Sequence, residues 1–125
     1  MNLLLDTNVI LWWLDDHATL STQAKETIAD GRNMVFVSAV SIWEIRIKNT
    51  LGKLEIPANF REVLEQQAFE MMPMTADHAH FIGELPWHHR DPFDRMLIAQ
   101  ALFERFTLVT RDRRFNRYKV ATISA

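Results

Sequence analysis

Short apolar runs of strand length alternate with longer helical patterns along this chain, and that alternation limits what it can fold into. Leu3–Leu5 reads as a strand, followed by a helical stretch from Val9 and another over Thr22–Ala29. Met34–Val37 reads as a second strand, and a helix follows from Ala39 to about Asn49. Pro57 opens a further helix expected to run to about Phe69, and Met71–Met74 reads as a short strand. Ala76–Leu85 and Pro92–Phe106 read as helices, and Thr107–Thr110 and Val120–Ile123 as closing strands. Strand, helix, strand, helix within 125 residues predicts one α/β domain with a mostly parallel sheet.

In an open α/β sheet, sites lie beyond the carboxyl ends of the strands. Asp6 directly follows the first strand. Ser38 and Ser41 follow the second, with Glu44 one helical turn on, and Thr110 and Asp112 follow the fourth. Each acid has a structural role to set against a functional one. Asp6 can cap a helix, although Thr7 and Asn8 are available for that job. Ser41 and Glu44 have capping-box spacing, but Ser38 stands better as the cap. Asp91 before Pro92 is a strong helix start, and Asp94 in the next turn gains from the helix dipole. Asp112 can be a turn residue neutralised by neighbouring arginines.

The joint arrangement says more than any single residue. Asp6, Glu44, Asp94 and Asp112 come from four separate elements near one edge. Two like charges about 4 Å apart repel by about 4 kcal/mol at an effective dielectric near 20. Such a cluster requires raised pKa values or a cation. Hard oxygen donors without cysteine point to Mg²⁺ or Mn²⁺ rather than zinc.

Composition removes other chemistries. The chain has no cysteine, which excludes disulfides and thiolate sites. Its three glycines make no phosphate loop. No apolar run reaches the roughly 20 residues of a membrane span. The first residues lack the pattern of a signal peptide, so a cytoplasmic location is expected. Net charge is −2, yet residues 90–119 hold eight basic and four acidic side chains against six and twelve elsewhere. A basic third on an acidic body can face a polyanion or simply be a solvated surface.

Four blocks then carry a resemblance: Leu4-Leu5-Asp6-Thr7-Asn8, Ser38-Ala39-Val40-Ser41-Ile42-Trp43-Glu44-Ile45, His89-Arg90-Asp91-Pro92-Phe93-Asp94-Arg95 and Leu108-Val109-Thr110-Arg111-Asp112. In order and spacing they resemble PIN-domain proteins, especially the VapC-type toxins of toxin–antitoxin pairs. The resemblance implies a three-layer fold with helices flanking the sheet, and metal-dependent endoribonuclease activity. It maps the family's acids onto Asp6, Glu44, Asp94 and Asp112, with Asp6 and Asp94 as principal metal ligands. Thr7, Asn8, Thr110 and Asp91 fall at supporting positions; position 8 is often His in the family, where this chain has Asn8. Arg95, Arg111 and Arg113 are candidates for holding the RNA backbone. Mg²⁺, with Mn²⁺ as the alternative, an RNA substrate, a cognate antitoxin and a homodimer are the implied cofactor and partners.

Two rival readings remain: a haloacid-dehalogenase-like phosphatase, which wants a second Asp where Asn8 stands, and a non-catalytic adaptor on the same fold. None of the histidines at 17, 78, 80, 88 and 89 has helical metal-ligand spacing, and none is assigned. The four tryptophans are expected in core or interface, and Met71, Met72 and Met74 as gap-fillers. Val9–Leu14 is apolar around its whole circumference, which predicts a partner surface nearby.

Overall fold

Leu3, Leu4 and Leu5 expose no surface, because their strand is the middle of a sheet covered on both sides. The computed structural model describes residues 1–125. In chain order the strands are β1 (Asn2–Leu5), β2 (Met34–Ser38), β3 (Phe69–Met72), β4 (Thr107–Thr110) and β5 (Thr122–Ser124). The helices are α1 (Thr7–Leu14), α2 (Thr22–Ala29), α3 (Ala39–Thr50), α4 (Phe60–Glu65), α5 (Ala76–Phe81) and α6 (Pro92–Glu104). Short 3-10 turns follow α5 and β4, at Ile82–Glu84 and Arg113–Arg117.

The strands lie in the order β3-β2-β1-β4-β5, and every pairing is parallel. Parallel strands covered on both faces read as continuous apolar runs, which is why Leu3-Leu4-Leu5 shows no polar alternation. The strand period of two divides the core instead. Leu3, Leu5, Val35, Val37 and Val109 pack with Val9 and Ile10 of α1 and with Ala24 and Ile28 of α2. Leu4 and Leu108 face the other way, against Leu97, Ile98 and Ala101 of α6. The three layers and mostly parallel sheet expected from the sequence are present.

Several boundaries differ from expectation. The helix after Pro57 covers only Phe60–Glu65, and Phe69 belongs to β3, where it pairs with Val35. The third strand therefore starts at Phe69 and ends before Pro73, which has no N–H to continue a ladder. Of the methionines expected as gap-fillers, Met72 is buried but Met74 is largely exposed. The last strand begins at Thr122 rather than Val120. In α1, Val9 and Ile10 are fully buried, while Leu11–Leu14 are half-buried against the same core. Trp12 and Trp13 meet the packing expectation, but Trp43 and Trp87 stand exposed at 54% and 77%.

Topology determines where chemistry can happen. From β1 the chain crosses to β2 on one side, and β4 returns on the other. The carboxyl ends of β1 and β4 thus border the switch point where α/β folds place ligands. The Asp6 N–H donates to the Val109 carbonyl at 3.0 Å, which anchors the first acid at that point.

Candidate active site

Asp6 is nearly buried and tied down on both carboxylate oxygens. Oδ1 accepts from the Thr7 N–H at 2.7 Å, and Oδ2 accepts from the Thr110 hydroxyl at 2.8 Å. Asp6 does cap α1, so the structural role is real. The cap does not explain its surroundings, because Thr7 turns its own hydroxyl to Glu44 Oε1 at 2.8 Å and to Ser41 Oγ at 2.9 Å. Burial pushes the Asp6 carboxyl up to about 6 against the two hydrogen bonds, and the charges of Glu44 and Asp112 add to the rise.

Glu44 is buried in the second turn of α3. Ser38, not Ser41, caps that helix by accepting from the Val40 N–H at 3.1 Å, so the capping-box reading of Ser41 and Glu44 falls. The other oxygen of Glu44 accepts from Lys48 Nζ at 2.6 Å. That lysine, four residues on, supplies the local counter-charge, and its own pKa is raised by the bond.

Asp91 is the N-cap of α6, accepting from the N–H groups of Phe93 at 2.8 Å and Asp94 at 3.1 Å. Asp94, a turn into the helix, has only 16% of its side chain exposed. Desolvation pushes its carboxyl up to about 8, and the charges of Asp6, Asp91, Glu44 and Asp112 contribute further. Asp112 follows β4 and is the opposite case. Arg114 grips both its oxygens, with the closest contact at 2.7 Å, and holds its carboxyl below the usual range. The Thr110 hydroxyl also accepts from the Asp112 N–H at 3.1 Å, so Thr110 links the two acids.

All four predicted acids therefore interact electrostatically, together with Asp91. Asp6 and Asp94 have raised pKa values, chiefly because burial disfavours their charged forms, with the neighbouring acids adding to the rise. The donor set is carboxylate oxygen, which suits Mg²⁺ or Mn²⁺. Ligand atoms on His89, Asp94 and Asp112 also lie within 4.8 Å of one another. Of the four acids only Asp94 and Asp112 belong to that close group, and their carboxylates suit a divalent cation, while Asp6 and Glu44 influence it through charge.

Comparison with known proteins identifies the family. The family model for the PIN domain matches residues 3–121. The chain belongs to the PIN domain family. No curated protein matches. Among solved structures, VapBC2 from Rickettsia felis, bound to a DNA fragment from its promoter, is similar at 20% identity and TM-score 0.76, covering 99% of this chain and 98% of that one. DNA-bound VapBC from Salmonella typhimurium gives 15% and 0.73, with 99% and 98% covered. VapBC-5 from Mycobacterium tuberculosis, a member of the VapBC family of toxin–antitoxin systems, gives 19% and 0.60, with 98% and 96% covered.

Within this PIN domain the basic candidates divide. Arg95, a candidate for holding RNA, points inward. It is 4% exposed and donates to the Pro86 carbonyl at 2.8 Å and to the Tyr118 hydroxyl at 3.3 Å. Its guanidinium also lies 3.9 Å from the Trp87 ring centroid. Arg111 is exposed but occupied, donating to the carbonyls of Thr19 and Ala125 beside Trp12. Arg113 is exposed and has no ion-pair partner. Asn8 is exposed at the start of α1. Arg95→Ala is expected to cost roughly 2 kcal/mol, the range for losing buried charge-assisted hydrogen bonds. A thermal melt should fall by several degrees, while the salt dependence of nucleic-acid binding stays as in wild type. A stable variant with a flatter salt slope would restore Arg95 to the RNA contacts.

The residue that sequence reasoning missed is His89. It is 6% exposed, and its Nε2 lies 2.8 Å from Asp94 Oδ2 and 3.8 Å from Asp112 Oδ2. No helical spacing announces it, because it stands in the loop before α6. Its one signal was adjacency to the Asp-Pro-Phe-Asp block. His78, by contrast, is a satisfied structural histidine, closing the capping box of α5 and meeting Glu104 at 2.8 Å.

Proposed function

We propose that this PIN domain is a metal-dependent endoribonuclease, the toxin of a VapC-type toxin–antitoxin pair, acting in the cytoplasm. What supports the reading is that Asp6, Glu44, Asp94 and Asp112 repel one another electrostatically beside the switch point, with burial and those charges holding Asp6 at about 6 and Asp94 at about 8. A cation relieves that repulsion. Asp6 and Asp94 would be its principal ligands, with Glu44 and Asp112 completing the shell. Bound there, Mg²⁺ supplies an activated water and neutralises charge developing on phosphate.

The protein's own contribution is orientation. Thr7 and Thr110 hold the carboxylates of Glu44 and Asp6 from the side. Lys48 gives Glu44 a local counter-charge, and Arg114 holds the Asp112 carboxyl below its usual range. Arg113, exposed and without an ion-pair partner beside Asp112, is the arginine left to meet an RNA backbone, since Arg111 is committed to two backbone carbonyls. The reading is tested by incubating RNA with the protein in Mg²⁺ and in EDTA. Cleavage confined to the Mg²⁺ sample is expected, and equal rates in the two would remove the metal mechanism.

The toxin–antitoxin systems among the structural neighbours support a cognate antitoxin, and the uncovered apolar surface supports an assembly. Trp43, Met74 and Trp87 border a groove of about 420 Å³ that Val40, Ile82 and Met96 floor. An exposed apolar patch of this kind commonly marks a protein contact. Light scattering is expected to give twice the 14.7 kDa chain mass. A monodisperse monomer at high concentration would remove the homodimer.

A further inference from the structure

His89 is buried among acids, and two facts about its ring decide what it can do there. The first concerns Nδ1, which accepts from the Asp91 N–H at 3.3 Å. A ring nitrogen facing an N–H donor presents its lone pair, so the ring proton sits on Nε2. A metal-binding histidine has the reverse arrangement, with the far nitrogen donating to a carbonyl or carboxylate. The second concerns Nε2 itself. It has no accessible surface and no hydrogen-bond partner in good alignment, although Asp94 Oδ2 is only 2.8 Å away. A sealed N–H cannot meet a phosphate arriving from solvent. The oxygens within its reach belong to Asp94 and, further off, Asp112.

The rest of the ring's setting is rigid. The His89 N–H donates to the Tyr118 hydroxyl at 2.9 Å, and the same hydroxyl accepts from Arg95. The ring leans on Phe115, centroids 6.1 Å apart. His89 is thus locked to the 3-10 turn after Asp112 and to the helix that carries Asp94.

We propose that His89 is a positioning residue for the acid pair: its Nε2–H donates to Asp94 Oδ2 and sets that carboxylate against Asp112, without ligating the metal. This rests on the metal-site reading above and adds a role to it. With the ring locked, a small turn of the Asp94 carboxylate would bring the 2.8 Å contact into line. The other Asp94 oxygen stays free for the ion, while those of Asp112 are shared with Arg114. The grouping of His89 with Asp94 and Asp112 as three possible ligands is then two ligands and the donor that spaces them.

The test uses Mn²⁺, which is paramagnetic, on wild type, His89→Ala and His89→Gln. Free Mn²⁺ titrated by electron paramagnetic resonance should show His89→Ala binding about 10–100-fold more weakly, the usual loss on removing an outer partner. His89→Gln retains an N–H near Nε2 and should bind within a few-fold of wild type. Electron spin-echo spectra of bound Mn²⁺ should show no directly coordinated nitrogen. A coordinated nitrogen in wild type that vanishes in His89→Ala overturns the proposal, as does an unchanged affinity in a folded His89→Ala. Should His89→Ala fail to fold, ¹⁵N spectra of metal-free wild type decide. A protonated Nε2 and bare Nδ1 support the assignment, and the opposite tautomer overturns it. Wild type that takes up no Mn²⁺ would sink the metal reading, while the ¹⁵N spectra would still judge His89 as the donor to Asp94.

Discussion

Asp6→Asn is expected to reduce Mg²⁺-dependent RNA cleavage by roughly 10²–10³-fold, the equivalent of about 3–4 kcal/mol of transition-state stabilisation. The substitution is nearly isosteric, and the local hydrogen bonds survive it. Asparagine Oδ1 can still accept from the Thr7 N–H, and the Thr110 hydroxyl can rotate to accept from the new amide. Fold and substrate affinity should therefore be retained while the rate falls. Initial rates on a defined RNA, with circular dichroism as the control for folding, check this. Retention of more than half the activity would mean that Asp6 is only the cap of α1. Glu44→Gln should give a smaller loss, because Lys48 already draws on one of its oxygens.

Asp94→Asn is expected to melt several degrees above wild type in EDTA at neutral pH. Wild-type Asp94 binds its proton more tightly in the folded chain, at about 8, than at the ordinary 3.8. A raised carboxyl contributes its full stability below about pH 4 and loses it as pH rises through about 8. The advantage of Asp94→Asn should therefore grow from about pH 4 to about pH 8 and then level off. Asp6, at about 6, gives the same sign over a lower window. The gain at neutral pH should be about 1–3 kcal/mol, less roughly 0.5 kcal/mol for removing a negative charge from the first turn of α6. Mg²⁺ should then raise the melting temperature of wild type and leave Asp94→Asn nearly unmoved, since only wild type binds it well. If Asp94 is no more than a helix-terminal charge, the variant melts lower in EDTA and both proteins respond equally to Mg²⁺. Those two melting curves separate the readings without any activity assay.

Much of the fold was legible in the sequence because its signals are local. The period of each segment, Ser38 as a cap and Asp91-Pro92 as a helix start all depend on a few neighbouring residues, and the structure keeps them. The boundaries that moved are those where tertiary pairing overrides local pattern. Phe69 extends the apolar pattern of a helix, yet its place beside Val35 in the sheet decides its conformation. Val120 has strand character, but pairing with β4 starts only at Thr122.

The site divides in the same way. Placing Asp6, Glu44, Asp94 and Asp112 at strand ends and helix starts required only the order of elements and the rule that α/β sites lie at the carboxyl edge. Side-chain direction and pairing could not be read so, because they depend on what the fold brings alongside. Arg95 stands one residue from an essential-looking acid, and only packing shows that its guanidinium is committed to Pro86, Tyr118 and Trp87. His89 has no motif of its own, and its meaning comes from Asp112, twenty-three positions away in the chain yet 3.8 Å away in space. The sequence by itself determined the alternation of strands and helices and the parallel sheet, since both follow from local periodicity, while the three layers and the choice of acids came with the resemblance to a family. The tertiary structure alone decided which charges are buried, which are neutralised and which are left repelling, because desolvation and Coulomb energy depend on distances between residues far apart in the chain.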